Sequence, residues 1–214
     1  TGSWVGLDQM RFISSNGLKM WGLEATGTQR IRVGERLTTA DNWSLFTYTS
    51  LPAAYSLSFP PVPFYTTTGT LGFYMVAANA LYRLVQSGSS FTSSVLTNVN
   101  LPGTVIGGIT CNPNGTLLML IQDSHKAIFD LDTSGTITFS QIWDASDSGN
   151  NTSGRVSDDG LRFMCYLEDS NSMVVATRAS LGTAFTVVSS YGDANAAGNL
   201  GTPGVIPFVN PQVT

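Results

Sequence analysis

Short, almost wholly apolar runs separated by polar turns that carry glycine recur four times along this chain. The runs are Leu18–Leu23, Leu71–Val76, Leu117–Ile121 and Leu161–Leu167. Apolar runs of this length between turn signals predict strands covered on both faces. A shorter strand precedes each one, at Gln9–Ser14, Val62–Thr66, Gly107–Cys111 and Ser153–Ser157. The linking turns end in Gly17, Gly69, Gly115 and Gly160. Glycine there supplies the positive φ of a hairpin turn, and the Asn or Asp before it at three of the four tolerates the same region. Third strands are predicted at Arg30–Val33, Ala80–Leu84, Ala127–Leu131 and Met173–Arg178, and fourth strands open near Phe46, Phe91, Phe139 and Phe185. Helical periodicity is nearly absent.

The turn glycines are spaced by 52, 46 and 45 residues, which fits one four-stranded blade per repeat. The expected fold is therefore all-β: a single β-propeller domain over residues 1–214. Its blades fall at about 1–50, 51–98, 99–146 and 147–192, with a C-terminal arm over 193–214. Within the arm, Val205-Ile-Pro-Phe-Val209 reads as the first strand of a fifth blade. Part of a five-bladed or larger propeller, and a β-sandwich, are the alternatives. An unpaired strand of this kind is a template for association, so the arm is expected to pair either with the chain's own N-terminal region around Trp4 or, by self-association, with the edge of a neighbouring copy.

The last repeat carries a family resemblance. Val156-Ser-Asp-Asp-Gly-Leu-Arg-Phe163, then Val175-Ala-Thr-Arg-Ala-Ser180 and Phe185, is similar to the WD-like propeller repeat of the TolB type. The first repeat shares it through Ser15-Asn-Gly-Leu-Lys-Met-Trp21 and Asp41-Asn-Trp-Ser-Leu-Phe46. The resemblance implies a propeller and leaves the activity open, because scaffolds, lectins and hydrolase accessory domains all use such repeats.

Composition narrows the partners. Charged residues are 11% of the chain and the formal net charge is −4, against about 25% charged in an average soluble protein. No cluster of Lys and Arg stands ready to neutralise phosphates, so nucleic acid is not expected as a partner. No apolar stretch reaches the roughly 20 residues of a membrane-spanning helix, so membrane insertion is not expected either. Richness in Ser, Thr, Asn and Gly suggests an extracellular or virion surface. Cys111 and Cys165 are the only cysteines; two buried free thiols are the first reading and a disulfide the second.

The candidate sites are few. Asp130-Leu-Asp-Thr-Ser-Gly-Thr-Ile137 matches the start of a calcium loop, with Asp130, Asp132 and Ser134 as ligands. Gln141 stands where a bidentate carboxylate belongs, so a hairpin turn is preferred and no metal or cofactor is expected. Trp143 is the candidate surface aromatic, while Trp21 and Trp43 are expected to pack between blades. Asp123, Glu168 and Asp169 are candidate rim carboxylates. No nucleophile elbow, phosphate loop or dinucleotide fingerprint occurs. The resulting expectation is a non-enzymatic protein that recognises a receptor, glycan or neighbouring subunit through propeller loops. The alternatives are a glycan-processing enzyme using the rim carboxylates and a purely structural assembly subunit.

Overall fold

A computed structural model describes residues 9–12, 16–24, 30–48, 61–77, 80–88, 90–96, 106–122, 125–144, 154–167 and 172–192. Every strand in these segments belongs to one of four antiparallel sheets of four strands each. The first sheet is β1 (Gln9–Phe12), β2 (Lys19–Glu24), β3 (Arg30–Glu35) and β4 (Ser44–Tyr48). The second is β5 (Val62–Tyr65), β6 (Leu71–Ala77), β7 (Ala80–Ser87) and β8 (Ser90–Val95). The third is β9 (Ile106–Cys111), β10 (Leu117–Gln122), β11 (His125–Leu131) and β12 (Ile137–Asp144). The fourth is β13 (Gly154–Val156), β14 (Arg162–Leu167), β15 (Ser172–Thr177) and β16 (Thr186–Gly192). Each sheet runs in simple sequence order, so every strand pairs with its chain neighbour. These are propeller blades. The candidate strand Val205–Val209 lies outside the described residues.

Blade packs on blade through apolar faces. Trp21, Ile31 and Val33 of the first sheet meet Leu71, Phe73, Met75 and Leu84 of the second. Trp21 is 1% exposed and sets its ring edge-on to Phe73, with centroids 5.4 Å apart. Between the second and third sheets, Phe64, Tyr74 and Leu81 pack with Leu118, Ala127 and Phe129. Between the third and fourth, Leu117 and Ile128 pack with Phe163, Cys165, Val174 and Ala176. Cys111 packs toward the second sheet and Cys165 toward the face of the third sheet that points to the fourth, so the third sheet separates the two thiols. Both are free.

The four turn glycines all take positive φ, between 68° and 77°. They close equivalent hairpins, with one difference of register. Asn112 N donates to Leu117 O and Ser157 N to Arg162 O, five residues on, whereas Thr66 N donates to Thr70 O, four on. A turn shorter by one residue moves the following strand's side chains to the opposite face. Leu71 and Leu117 each stand two residues after their glycine, yet Leu71 packs back on the first sheet and Leu117 forward on the fourth.

Gly115 shows why some of these turns tolerate no side chain. A Cβ on Gly115 would stand 2.5 Å from Cδ2 of Phe64, and its φ is +69°. Its carbonyl also accepts the Tyr74 hydroxyl at 2.6 Å. Gly69, at φ +77°, has nothing within 4 Å of that position. Gly115→Ala is therefore expected to cost about 2–4 kcal/mol, from left-handed strain plus overpacking. Gly69→Ala should cost about 1 kcal/mol, the strain alone. Urea denaturation of both variants checks the difference.

Burial also sets an alkaline limit on stability. It pushes the Cys111 thiol up to about 12, and raises the Tyr74 phenol well above its ordinary range despite the nearby Arg83 charge. Both groups therefore keep their protons in the folded chain at pH values where the unfolded chain releases them. Their stabilising contribution is complete below the unfolded values and is lost as pH rises through the folded ones. Urea midpoints should stay flat from pH 7 to 8 and fall steadily between about pH 9 and 12. Cys111→Ser should flatten the first part of that fall.

Candidate functional site

At the end of the sheets where the turn glycines lie, the rim between the third and fourth blades is built differently from the rim between the first and second. Asp130 is the last residue but one of the third strand of the third sheet, and Arg178 directly follows the third strand of the fourth. Arg178 donates Nη1 to Asp130 Oδ2 at 2.7 Å and Nη2 to Oδ1 at 2.6 Å. Gly182 N adds a third bond to the carboxylate at 2.8 Å. The Arg178 side chain is fully buried, lies 4.4 Å from the Phe185 ring centre, and donates Nε to Gly160 O at 2.8 Å. This bidentate pair seals the rim between the third and fourth blades.

The residue of the first sheet that matches Asp130 is Glu35, which faces Lys19 across β2 and β3 as Asp130 faces Leu117 across β10 and β11. Among the described residues no arginine is paired with Glu35. Glu35 Oε1 instead meets Lys19 Nζ at 3.0 Å, with both side chains 34% exposed. Tyr65, at the end of β5, lies below them, with Lys19 Nζ 5.8 Å from its ring centre. The Tyr65 hydroxyl is buried and has no hydrogen-bond partner. Burial first, and the Glu35 charge second, raise its pKa, so the phenol stays a neutral donor. A cavity of about 690 Å³ opens here, lined by Lys19, Glu35 and Tyr65 together with Arg36, Asp41 and Ser44.

The chemistry available is that of one carboxylate, one ammonium and one neutral phenol at a half-open rim. Glu35 Oε2 takes no bond from a described residue. An unpaired hydroxyl in a buried position costs on the order of 1–3 kcal/mol, a penalty of the kind kept at functional sites. None of these three residues stood out in the sequence. Lys19 and Glu35 look like ordinary strand-end charges, and Tyr65 lies on a different blade.

The residues singled out from the sequence fare differently. Asp123, Glu168 and Asp169 lie outside the described residues. Trp143 sits in β12 opposite Lys126, and its side chain also lies outside them. The calcium-like loop resolves into a hairpin. Asp130 turns to Arg178, while Asp132 Oδ1 accepts Ser134 N at 2.9 Å, Ser134 Oγ at 2.6 Å and Thr136 N at 2.9 Å. Those bonds, led by Ser134 Oγ, lower the Asp132 pKa. The two aspartates thus serve different partners, and Ser134 binds Asp132. Among the described residues no three His, Cys, Asp or Glu side chains gather as for a metal.

No family model matches the chain, and no curated protein matches it in sequence. Solved structures do match in shape. A Bacteroides uniformis protein assigned as a 6-phosphogluconolactonase is 12% identical with a TM-score of 0.54, covering 84% of this chain and 70% of its own. A Bacteroides fragilis protein with the same assignment is 15% identical with a TM-score of 0.55, covering 87% and 55%. The periplasmic gluconolactonase of Pseudomonas aeruginosa is 10% identical with a TM-score of 0.56, covering 86% and 57%. The chain thus spans just over half the length of two of these proteins. At such identities the likeness shows the fold. It also corrects the expectation of a non-enzymatic receptor-, glycan- or subunit-binding protein. These solved structures of the same fold are named for lactone hydrolysis, and the first interface carries the ionisable cluster that the sequence did not bring together.

Proposed function

We propose that the chain is a hydrolase of small sugar-derived lactones, with its site at the rim between the first and second blades. The observation that carries the reading is the Lys19–Glu35 pair beside the buried, unpartnered Tyr65 hydroxyl, where the next rim but one is sealed by Asp130 and Arg178. In this reading Glu35 takes a proton from water as the water oxygen bonds to the lactone carbonyl carbon. The Lys19 ammonium stabilises the resulting oxyanion. Collapse breaks the ring C–O bond, the ring oxygen takes the proton back from Glu35, and a hydroxy acid leaves. The Tyr65 ring forms part of the wall against which the substrate packs.

Two finer readings go with this one. The repeat is taken as the WD-like TolB type on the strength of Val156–Phe163 and Val175–Ser180. A location outside the cytoplasm fits the low charge and the periplasmic relative in fold.

The test is acid release from glucono-δ-lactone near pH 6.5, followed against the spontaneous rate. The purified chain should accelerate hydrolysis in proportion to its concentration, with saturation. A rate equal to that of buffer, for this lactone and its 6-phosphate alike, rejects the reading.

A further inference from the structure

We propose that Arg36, in the wall of the same cavity, is a carboxylate-binding site on the rim of the first blade, an inference whose geometry does not depend on the hydrolytic reading. Arg36 and Arg178 hold the same place in their blades. The backbone N of each donates at 3.0 Å to the residue after its turn glycine, Leu18 O and Leu161 O. Nε of each donates to the glycine carbonyl, Gly17 O at 3.1 Å and Gly160 O at 2.8 Å. Each guanidinium lies 4.4 Å from the centre of an aromatic ring, Trp43 or Phe185. Nη1 of each reaches a carbonyl of the following loop, Thr39 O at 2.9 Å or Thr183 O at 3.4 Å.

These contacts hold the fork in place without using its outer edge. At Arg178 that edge takes the Asp130 carboxylate with both Nη atoms. At Arg36, Nη2 donates to no described residue, and Arg36 makes no ion pair among the described residues. The nearest loop acid, Asp41, accepts Thr38 N through Oδ2 at 2.7 Å instead. A planar fork fixed by stacking and by its Nε bond loses little entropy on meeting a carboxylate, and the geometry selects two parallel bonds. The molecule contains its own template for the occupant: a carboxylate set as Asp130 is set on Arg178. Asp130 comes from the third strand of the preceding sheet. The carboxylate at Arg36 comes either from an acidic side chain of a sheet packed against the first blade or from a free carboxylate in solution.

The test follows the arginine side-chain N–H resonances of the whole wild-type chain by NMR, with Arg178 as internal standard. Sodium gluconate is the free carboxylate and sorbitol the neutral control. If the source is free, gluconate shifts the Arg36 signals saturably, sorbitol does not, and Arg178 stays fixed. Arg36→Lys, which keeps the charge but not the fork, should then weaken gluconate binding at least tenfold. If the source is a side chain, the Arg36 Nη protons are already protected before any addition, as those of Arg178 are. Arg36 Nη protons that exchange freely and ignore gluconate at about 50 mM overturn the proposal.

Discussion

Asp130→Ala should lower the thermal midpoint of the chain by roughly 10 °C. The substitution leaves the Arg178 guanidinium buried with neither of its carboxylate bonds, and leaves Gly182 N without its acceptor. Breaking a buried pair in this way typically costs about 3–5 kcal/mol, and each kcal/mol is worth about 2–4 °C in a chain of this size. The cost lies in the stranded charge, so removing both partners should behave differently. Asp130→Leu combined with Arg178→Met replaces the pair with apolar volume and should recover most of the lost stability. Differential scanning calorimetry of the two variants separates these cases. A single variant that melts within 2 °C of wild type would mean that the rim between the third and fourth blades is wetter than the structure has it.

The second large effect concerns Glu35. Glu35→Gln should slow lactone hydrolysis by about 10²–10³-fold with little change in stability, because the side chain is a third exposed and its pair with Lys19 is a surface one. The loss should fall on kcat, since a base acts only as the proton moves. Asp132→Asn is the control. Asp132 is an exposed carboxylate held by its own turn, so its variant should keep the wild-type rate. If both variants lose activity alike, the effect is one of folding and Glu35 is not the base.

What could be read from the sequence was local. The glycine turns and the four apolar second strands declared themselves because a positive φ and a doubly covered strand each demand particular residues at short range. The expectation that Trp21 packs between blades followed from the same pattern, and its edge-on contact with Phe73 bears it out. The site depends on pairings between blades. Glu35 and Tyr65 are thirty residues apart in sequence, and Asp130 and Arg178 are forty-eight apart. Nothing at either end of such a pair marks it. At the calcium-like loop an aspartate-led hairpin and the start of a cation loop share residues, and Gln141 at the last ligand position favoured the hairpin. The bonds from Ser134 and Thr136 to Asp132, and from Arg178 to Asp130, agree with the hairpin. One residue fewer in the turn around Gly69 leaves no mark in the sequence, since Leu71 and Leu117 each stand two residues after their glycine. Its consequence, the reversal of faces along β6, requires the packing partners to be known.

The most direct test of the account is a crystal structure of the chain with glucono-δ-lactam, in which an amide replaces the scissile ester. The account predicts the lactam in the cavity between the first and second blades, its carbonyl oxygen within hydrogen-bond reach of Lys19 Nζ and its ring packed on Tyr65. A lactam bound at the opposite end of the sheets, with Lys19, Glu35 and Tyr65 untouched, would contradict it.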